Sequence, residues 1–251
     1  QVGMNYYPLL NRKAGKWCLL SFYDPDSKER WNKNIKLISA SDEAKLLYKR
    51  WVEANRSKVH DFSGGRVGYV HIRGMADPYY RELIKEVLGD EVNREALVVD
   101  TRWNGGGDLT EDLTNFLNGD VYETNYIREK RIGYYSPNRW TRPSIVLGNE
   151  GNYSDGHCFP AAYRDLEIGK VVGMPIAGTC TAVWWEKLQN EVVFGIPVMR
   201  IEDKSGEVLE NKPFEPDIEI RNDYDKSAVG QDQQLERAVS EIMLELEGNM
   251  D

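Results

Sequence analysis

The sequence predicts an α/β protein whose core is mainly parallel, preceded by a small β-rich unit. Three observations carry this. From residue 64 onward, short apolar runs bounded by turn residues alternate with segments of helical spacing, the pattern of β-α units. Two of those runs end in glycine-punctuated turns that lead into helices. Before residue 39 the periodicity is different: apolar and polar residues alternate around Pro, Gly and Asp turns.

Taken in order, Tyr7-Pro8-Leu9-Leu10, Lys16 to Phe22 and Ile35 to Ile38 read as strands, separated by Lys13-Ala14-Gly15 and Asp24-Pro25-Asp26-Ser27. They are too few to close a sheet alone. Ser39 or Ser41 caps a connecting helix over 39–62, in which Leu47, Trp51, Ala54 and Lys58 recur at helical spacing. Gly64-Gly65 then opens the long segment 63–251. Its elements are a strand over Val67 to Ile72, a helix from Tyr79 to Leu88 and a strand over Ala96 to Asp100. The loop Asn104-Gly105-Gly106-Gly107-Asp108 leads into a helix from Leu109 to Leu117. A third strand covers Ser144 to Leu147, followed by a turn and a helix from Asp155 to Asp165; a fourth is Val171 to Gly173. Val192 to Phe194 and Val198 to Ile201 read as a hairpin, and Asp232 to Leu246 as a closing helix.

A chain of 251 residues with a formal charge of -9 can bury a substantial core and disfavours nucleic acid and anionic membrane as partners. No apolar run has the length of a bilayer span and no signal peptide opens the chain, although the first residues, 1–4, look neither like a native start nor like a leader. The compartment, cytoplasmic or periplasmic, stays open. Three cysteines (Cys18, Cys158, Cys180) lack metal-ligand spacing, and their odd number favours buried free thiols. Neither a metal nor an organic cofactor is implied.

The chemistry gathers at Ser154, where the chain leaves a strand and enters a helix. A tight turn there lifts a hydroxyl clear of the backbone and points the first helical N–H groups at whatever it attacks. The plain alternative is that Ser154 or Asp155 is an N-cap. In Gly105-Gly106-Gly107 the backbone carries no Cβ and can approach a substrate closely. One N–H from this loop and the N–H of Asp155 would make an oxyanion hole. A phosphate cradle is the rival reading, but no Gly-Lys-Ser/Thr follows.

Arg66 to Ile72, Val98-Val99-Asp100-Thr101-Arg102-Trp103-Asn104-Gly105-Gly106-Gly107, Asn149-Glu150, Ser154-Asp155-Gly156 and Phe159-Pro160 stand in this order. With Val208-Leu209-Glu210-Asn211, Glu215-Pro216-Asp217-Ile218 and Gly230 to Leu235, they resemble the tricorn branch of the C-terminal-processing (tail-specific) serine peptidases. The resemblance implies a catalytic domain of the spiral, crotonase-like type and a substrate that is a peptide or unfolded protein. It implies that residues 1–38 are the second part of a PDZ-like domain, and that homo-oligomers are to be expected. Residue by residue, Ser154 matches the nucleophile, Gly107 and Asp155 the backbone oxyanion donors, and Glu210 the acid that orients an imidazole. The family's general-base histidine has no counterpart here; its expected place is a segment ahead of the PDZ-like part. In the related serine–lysine branch the base follows the fourth strand, where this chain has Thr179.

Among the three histidines, His71 reads as a packed strand residue, His60 as the solvated end of the connecting helix, and His157 as a pocket-lining residue or substitute base. The branch's archetype has an aspartate for basic side chains after an Ile-Gly-Tyr stretch; here Tyr135 follows Ile132-Gly133-Tyr134. Together with Trp103, Tyr134, Trp140, Trp184 and Trp185, Tyr135 suggests an apolar or stacking pocket, with Gly105 and Gly106 as further substrate contacts. The expected activity is peptide hydrolysis, with this chain alone nearly inactive. The rival functions are a non-catalytic peptide-binding or assembly module and acyl transfer to a non-peptide substrate.

Overall fold

The structure, a computed structural model, describes residues 5–248; residues 1–4 and the reading made of them lie outside that range. The chain divides into two compact units between Ala54 and Asn55. In the first, helix α1 (Tyr7–Leu10) precedes an antiparallel hairpin of β1 (Trp17–Tyr23) and β2 (Arg30–Lys36). The sequence reads Tyr7 to Leu10 as a strand; the structure makes it a helical turn. Pro8 stands in that first turn, where its missing N–H is not needed. Helix α2 (Ala40–Ser63) begins as expected, Ser39 Oγ accepting from the Asp42 N–H at 3.1 Å. The division between units falls inside α2 rather than at either end of it.

The second unit contains β3 (Val67–His71), α3 (Asp77–Lys85), β4 (Ala96–Asp100), α4 (Thr110–Leu117), the hairpin β5 (Glu123–Ile127) and β6 (Lys130–Tyr135), and β7 (Ser144–Gly148). After these come α5 (Asp155–Asp165), β8 (Val171–Gly173), β9 (Val183–Lys187), β10 (Val193–Pro197), β11 (Ile218–Glu219), α6 (Tyr224–Ala228) and α7 (Gln233–Gly248). Five strands form one sheet in the order β11-β8-β7-β4-β3, and every neighbouring pair is parallel. A parallel sheet is covered on both faces, which is why β4 and β7 are apolar runs with every residue buried. Val70, Leu97, Val99 and Val146 from the strands meet Leu113, Phe116 and Phe159 from the helices in one core. Leu235, Val239 and Ile242 give α7 its buried stripe.

Two expectations are corrected here. Val193–Pro197 does form a hairpin strand, but it pairs with Val183–Lys187 and not with Val198 to Ile201. Pro197 ends that strand at its pairing with Val183, so it punctuates an edge where a missing donor is tolerated. Trp140, placed above in an aromatic pocket, is 1 % exposed in the core, with its Nε1–H donating to the Pro143 carbonyl. Among the described residues no helix is long and apolar enough to cross a membrane.

Candidate active site

Because the sheet is parallel, the loops after β4, β7 and β8 emerge at its same edge, where ligands of open α/β sheets bind. The loop after β4 is fixed first. Arg102 is fully buried and pairs through Nε and Nη2 with Asp100, and through Nη1 with Asp232 at the start of α7. Tyr69 adds a hydroxyl donor to Asp100 at 2.9 Å. Burial disfavours the Asp100 carboxylate, yet the adjacent guanidinium prevails and holds its pKa below the ordinary value. Such a buried pair is costly to break from one side, so the strand end that feeds the glycine loop is immobilised.

Three asparagines then pin the loops that follow β4 and β7. Asn104 Oδ1 accepts from Gly106 N–H at 2.8 Å and its Nδ2 donates to the Ile72 carbonyl. Asn149 Oδ1 accepts from Trp103 N–H and Gly151 N–H. Asn152 Nδ2 donates to Gly156 O at 2.9 Å, which answers a local defect. Pro160 inside α5 has no N–H for the carbonyl four residues back, and Asn152 supplies the missing donor.

Ser154 sits at the N-cap of α5 with φ 55 and ψ −122, and its side chain makes no capping hydrogen bond. The cap reading therefore fails for Ser154, whose backbone is held in a region that non-glycine residues seldom enter. Asp155 does not cap α5 either. Its carboxylate accepts from Leu109 N–H at 2.7 Å and from the Thr110 hydroxyl, at the start of α4. One acid thus ties the far end of the glycine loop to the serine turn.

The two loops touch at Gly106. A Cβ there would lie 2.6 Å from Ser154 Cβ and 3.0 Å from the Asp155 nitrogen, and φ is +89. Gly107, at φ +144, faces the Met75 carbonyl so closely that a Cβ would fall on it. Among the described residues, the N–H groups of Gly107 and Asp155 have no hydrogen-bond partner, whereas Gly106 N–H and Asp108 N–H are both used. A cleft of about 520 Å³ opens beside them, with Gly105, Gly107, Ser154 and Asp155 in its lining. Ala182, Val183, Trp185, Met199 and Ile201 give that lining an apolar share, next to Thr181.

The other expected residues fall as follows. Glu210 is half-buried and precedes Asn211, whose N–H donates to the Gly178 carbonyl at 2.8 Å, beside the Thr179 turn that bonds Ser154. Tyr135 ends β6, on a separate two-stranded sheet, 44 % exposed and stacked on Tyr122, and is not among the residues that line this cleft. His157 is buried. It is 1 % exposed, absent from the cleft wall, and its Nδ1 accepts from the N–H groups of Thr179 and Cys180 at 3.1 and 3.0 Å. Burial depresses its pKa to about 4, in keeping with a neutral Nδ1 that accepts. His71 contacts the Arg102 carbonyl from β3, and His60 lies in the last turn of α2; neither lines the cleft.

Two features escaped sequence reasoning. Cys158 and Cys180 are joined by a disulfide across 22 residues, where free thiols were expected. Thr179 Oγ1 accepts the Ser154 N–H at 2.8 Å. The only sequence signal for the pair was that one cysteine lies in the serine helix and the other just after Thr179. Among the described residues no group of three or more His, Cys, Asp or Glu side chains is placed to hold a metal.

The profile of peptidase family S41 matches residues 66–220. The tricorn protease of Thermoplasma volcanium is 32 % identical over 222 residues, covering 82 % of this chain and 20 % of its own length. A tricorn protease homolog of Streptomyces coelicolor is 30 % identical over 245 residues, 96 % of this chain and 22 % of the relative. The chain therefore spans about a fifth of the length of these relatives. The crystal structure of the tricorn protease superimposes with a TM-score of 0.84 at 26 % identity, over 98 % of this chain and 24 % of that one. A peptidase structure from Parabacteroides merdae, at 18 % identity and a TM-score of 0.56, shares the fold. On the family profile and the ordered relatives together, this chain belongs to peptidase family S41.

Proposed function

We propose that this chain carries the nucleophile and oxyanion hole of a serine peptidase. The observation that carries the reading is Ser154: a strained N-cap whose hydroxyl does no capping, next to two unpartnered N–H groups from separate loops. Ser154 Oγ attacks the peptide carbonyl carbon as its proton passes to a base. The carbonyl oxygen, now an anion, receives the Gly107 and Asp155 N–H groups. Collapse expels the amine, which takes the proton, and water then hydrolyses the acyl ester by the same route in reverse roles. Glu210 accepts from the second nitrogen of the base imidazole and holds its tautomer. That imidazole comes from outside the chain's own three histidines, none of which lines the cleft.

The apolar share of the cleft lining, Val183, Trp185, Met199 and Ile201, favours a peptide with an apolar residue at the cleavage site. Residues 1–38, which include the β1–β2 hairpin, are read as the C-terminal part of a PDZ-like domain. The test uses the intact protein, a fluorophosphonate reagent and peptides differing only in the residue before the scissile bond. Labelling of wild type and its loss in Ser154→Ala are expected, with apolar peptides cleaved at least tenfold faster than basic ones. Labelling that survives Ser154→Ala, or a wild type that does not label, overturns the reading.

A further inference from the structure

Ser154 has an unusual backbone to defend. Its N–H points away from the helix that follows, and a residue at φ 55, ψ −122 stays there only when its surroundings hold it. The holder is Thr179, 25 residues away, whose Oγ1 accepts that N–H at 2.8 Å. Thr179 is itself restrained on every side. Its N–H and that of Cys180 converge on His157 Nδ1, its hydroxyl reaches the Ala177 carbonyl at 3.3 Å, and Cys180 is bonded to Cys158. His157 and Cys158 are the third and fourth residues after Ser154 on α5.

The connections therefore close a ring: Ser154, the first turn of α5, the 179–180 turn, and back to the Ser154 N–H. Two N–H donors on one nitrogen require that His157 Nδ1 be unprotonated, which puts the ring proton on Nε2. A protonated Nδ1 would meet two donors with a third. A threonine hydroxyl suits the other junction because it accepts from Ser154 while donating to Ala177, and its β-branch limits χ1.

We propose that Thr179 is a positioning residue for the nucleophile, its hydroxyl locking the Ser154 backbone so that Oγ faces the cleft, with the neutral imidazole of His157 holding Thr179 in place. This rests on Ser154 being the nucleophile. It adds a function to a side chain that touches neither substrate nor the reacting atoms.

The experiment compares wild type, Thr179→Val and Thr179→Ser in the intact protein by two readouts. Hydrogen exchange of the Ser154 amide is independent of catalysis: exchange at least tenfold faster in Thr179→Val, restored in Thr179→Ser, is expected. Equal exchange in all three overturns the lock. Fluorophosphonate labelling and peptide cleavage read the consequence. Thr179→Val is expected to lower kcat and the labelling rate at least tenfold with KM within twofold, while Thr179→Ser stays within threefold of wild type. Wild-type rates in Thr179→Val, or Thr179→Ser as slow as Thr179→Val, would show that the methyl packing and not the hydroxyl matters. A wild type that does not label, with exchange behaving as expected, sinks the peptidase reading alone and leaves the lock standing as a backbone device. Nitrogen chemical shifts of His157 in the histidine-labelled protein are expected to show the Nε2-protonated tautomer at pH 7; the other tautomer refutes its part.

Discussion

The burial of His157 makes a quantitative prediction for stability against pH. In the unfolded chain a histidine titrates near 6.5, whereas in the fold this one is held to about 4 by burial. As pH falls below 6.5 the unfolded chain takes up a proton that the folded chain refuses, so the stability supplied by the neutral imidazole is full above pH 6.5 and lost as pH falls toward 4. Between pH 7 and pH 5 that linkage removes about 2 kcal/mol. The matched control is His157→Asn, whose Oδ1 stands near the place of Nδ1, accepts from the same two N–H groups, and does not titrate in this range. His71 is likewise depressed, chiefly by burial, but remains in both proteins and cancels. Urea unfolding of both at pH 7, 6 and 5 is the assay. The wild type is expected to lose about 2 kcal/mol more than His157→Asn over that interval. Parallel stability curves would refute the argument, because they would mean that His157 binds its proton equally in both states.

Three other perturbations test the frame around Ser154. Gly106→Ala places a methyl group 2.6 Å from Ser154 Cβ at φ +89, a strain of about 1–3 kcal/mol; it is expected to lower fluorophosphonate labelling at least a hundredfold with the far-ultraviolet circular dichroism of a folded protein. Asp100→Asn leaves the buried Arg102 guanidinium short of a charge, and a loss of about 3–5 kcal/mol is expected in urea unfolding. Replacing both Cys158 and Cys180 by Ala frees a loop of 22 residues and is expected to cost about 3 kcal/mol, read as a lower urea midpoint against the oxidised protein; an unchanged midpoint would deny the bond.

The parallel core was legible because burial on both faces leaves a strand polar positions only at its ends, as at Asp100 and Ser144. Ala96–Asp100, Ser144–Gly148 and Val171–Gly173 could be read as continuous runs, and the helix Asp155–Asp165 followed from the turn that starts it. Outside the core that signal fades. In the β9–β10 hairpin both strands are largely exposed, so apolar content did not say which runs pair, and Val193–Pro197 was given the wrong partner. Tyr7–Leu10 failed for a related reason: four apolar residues fit a strand or a helical turn, and only Pro8 at the start favours the turn.

At the site, the legible residues were those whose chemistry is local: a serine at a strand-to-helix joint, glycines before a helix. What remained hidden was every bond between loops, because Asn104, Asn149, Asn152 (through Thr101), Thr179 and His157 act over separations that no periodicity encodes. His157 shows the consequence most clearly. Spacing alone set it on the side of Ser154, and a histidine there invites a catalytic reading; the two N–H groups on Nδ1 reverse it. Thr179 is the converse. From the sequence it registers only as a position without a lysine, a catalytic residue subtracted. A lysine would end its long stem in an amine far from its own backbone, whereas the short threonine side chain ends 2.8 Å from the Ser154 backbone nitrogen. A short side chain at that position reaches the backbone of the serine turn, where a long one would pass it by.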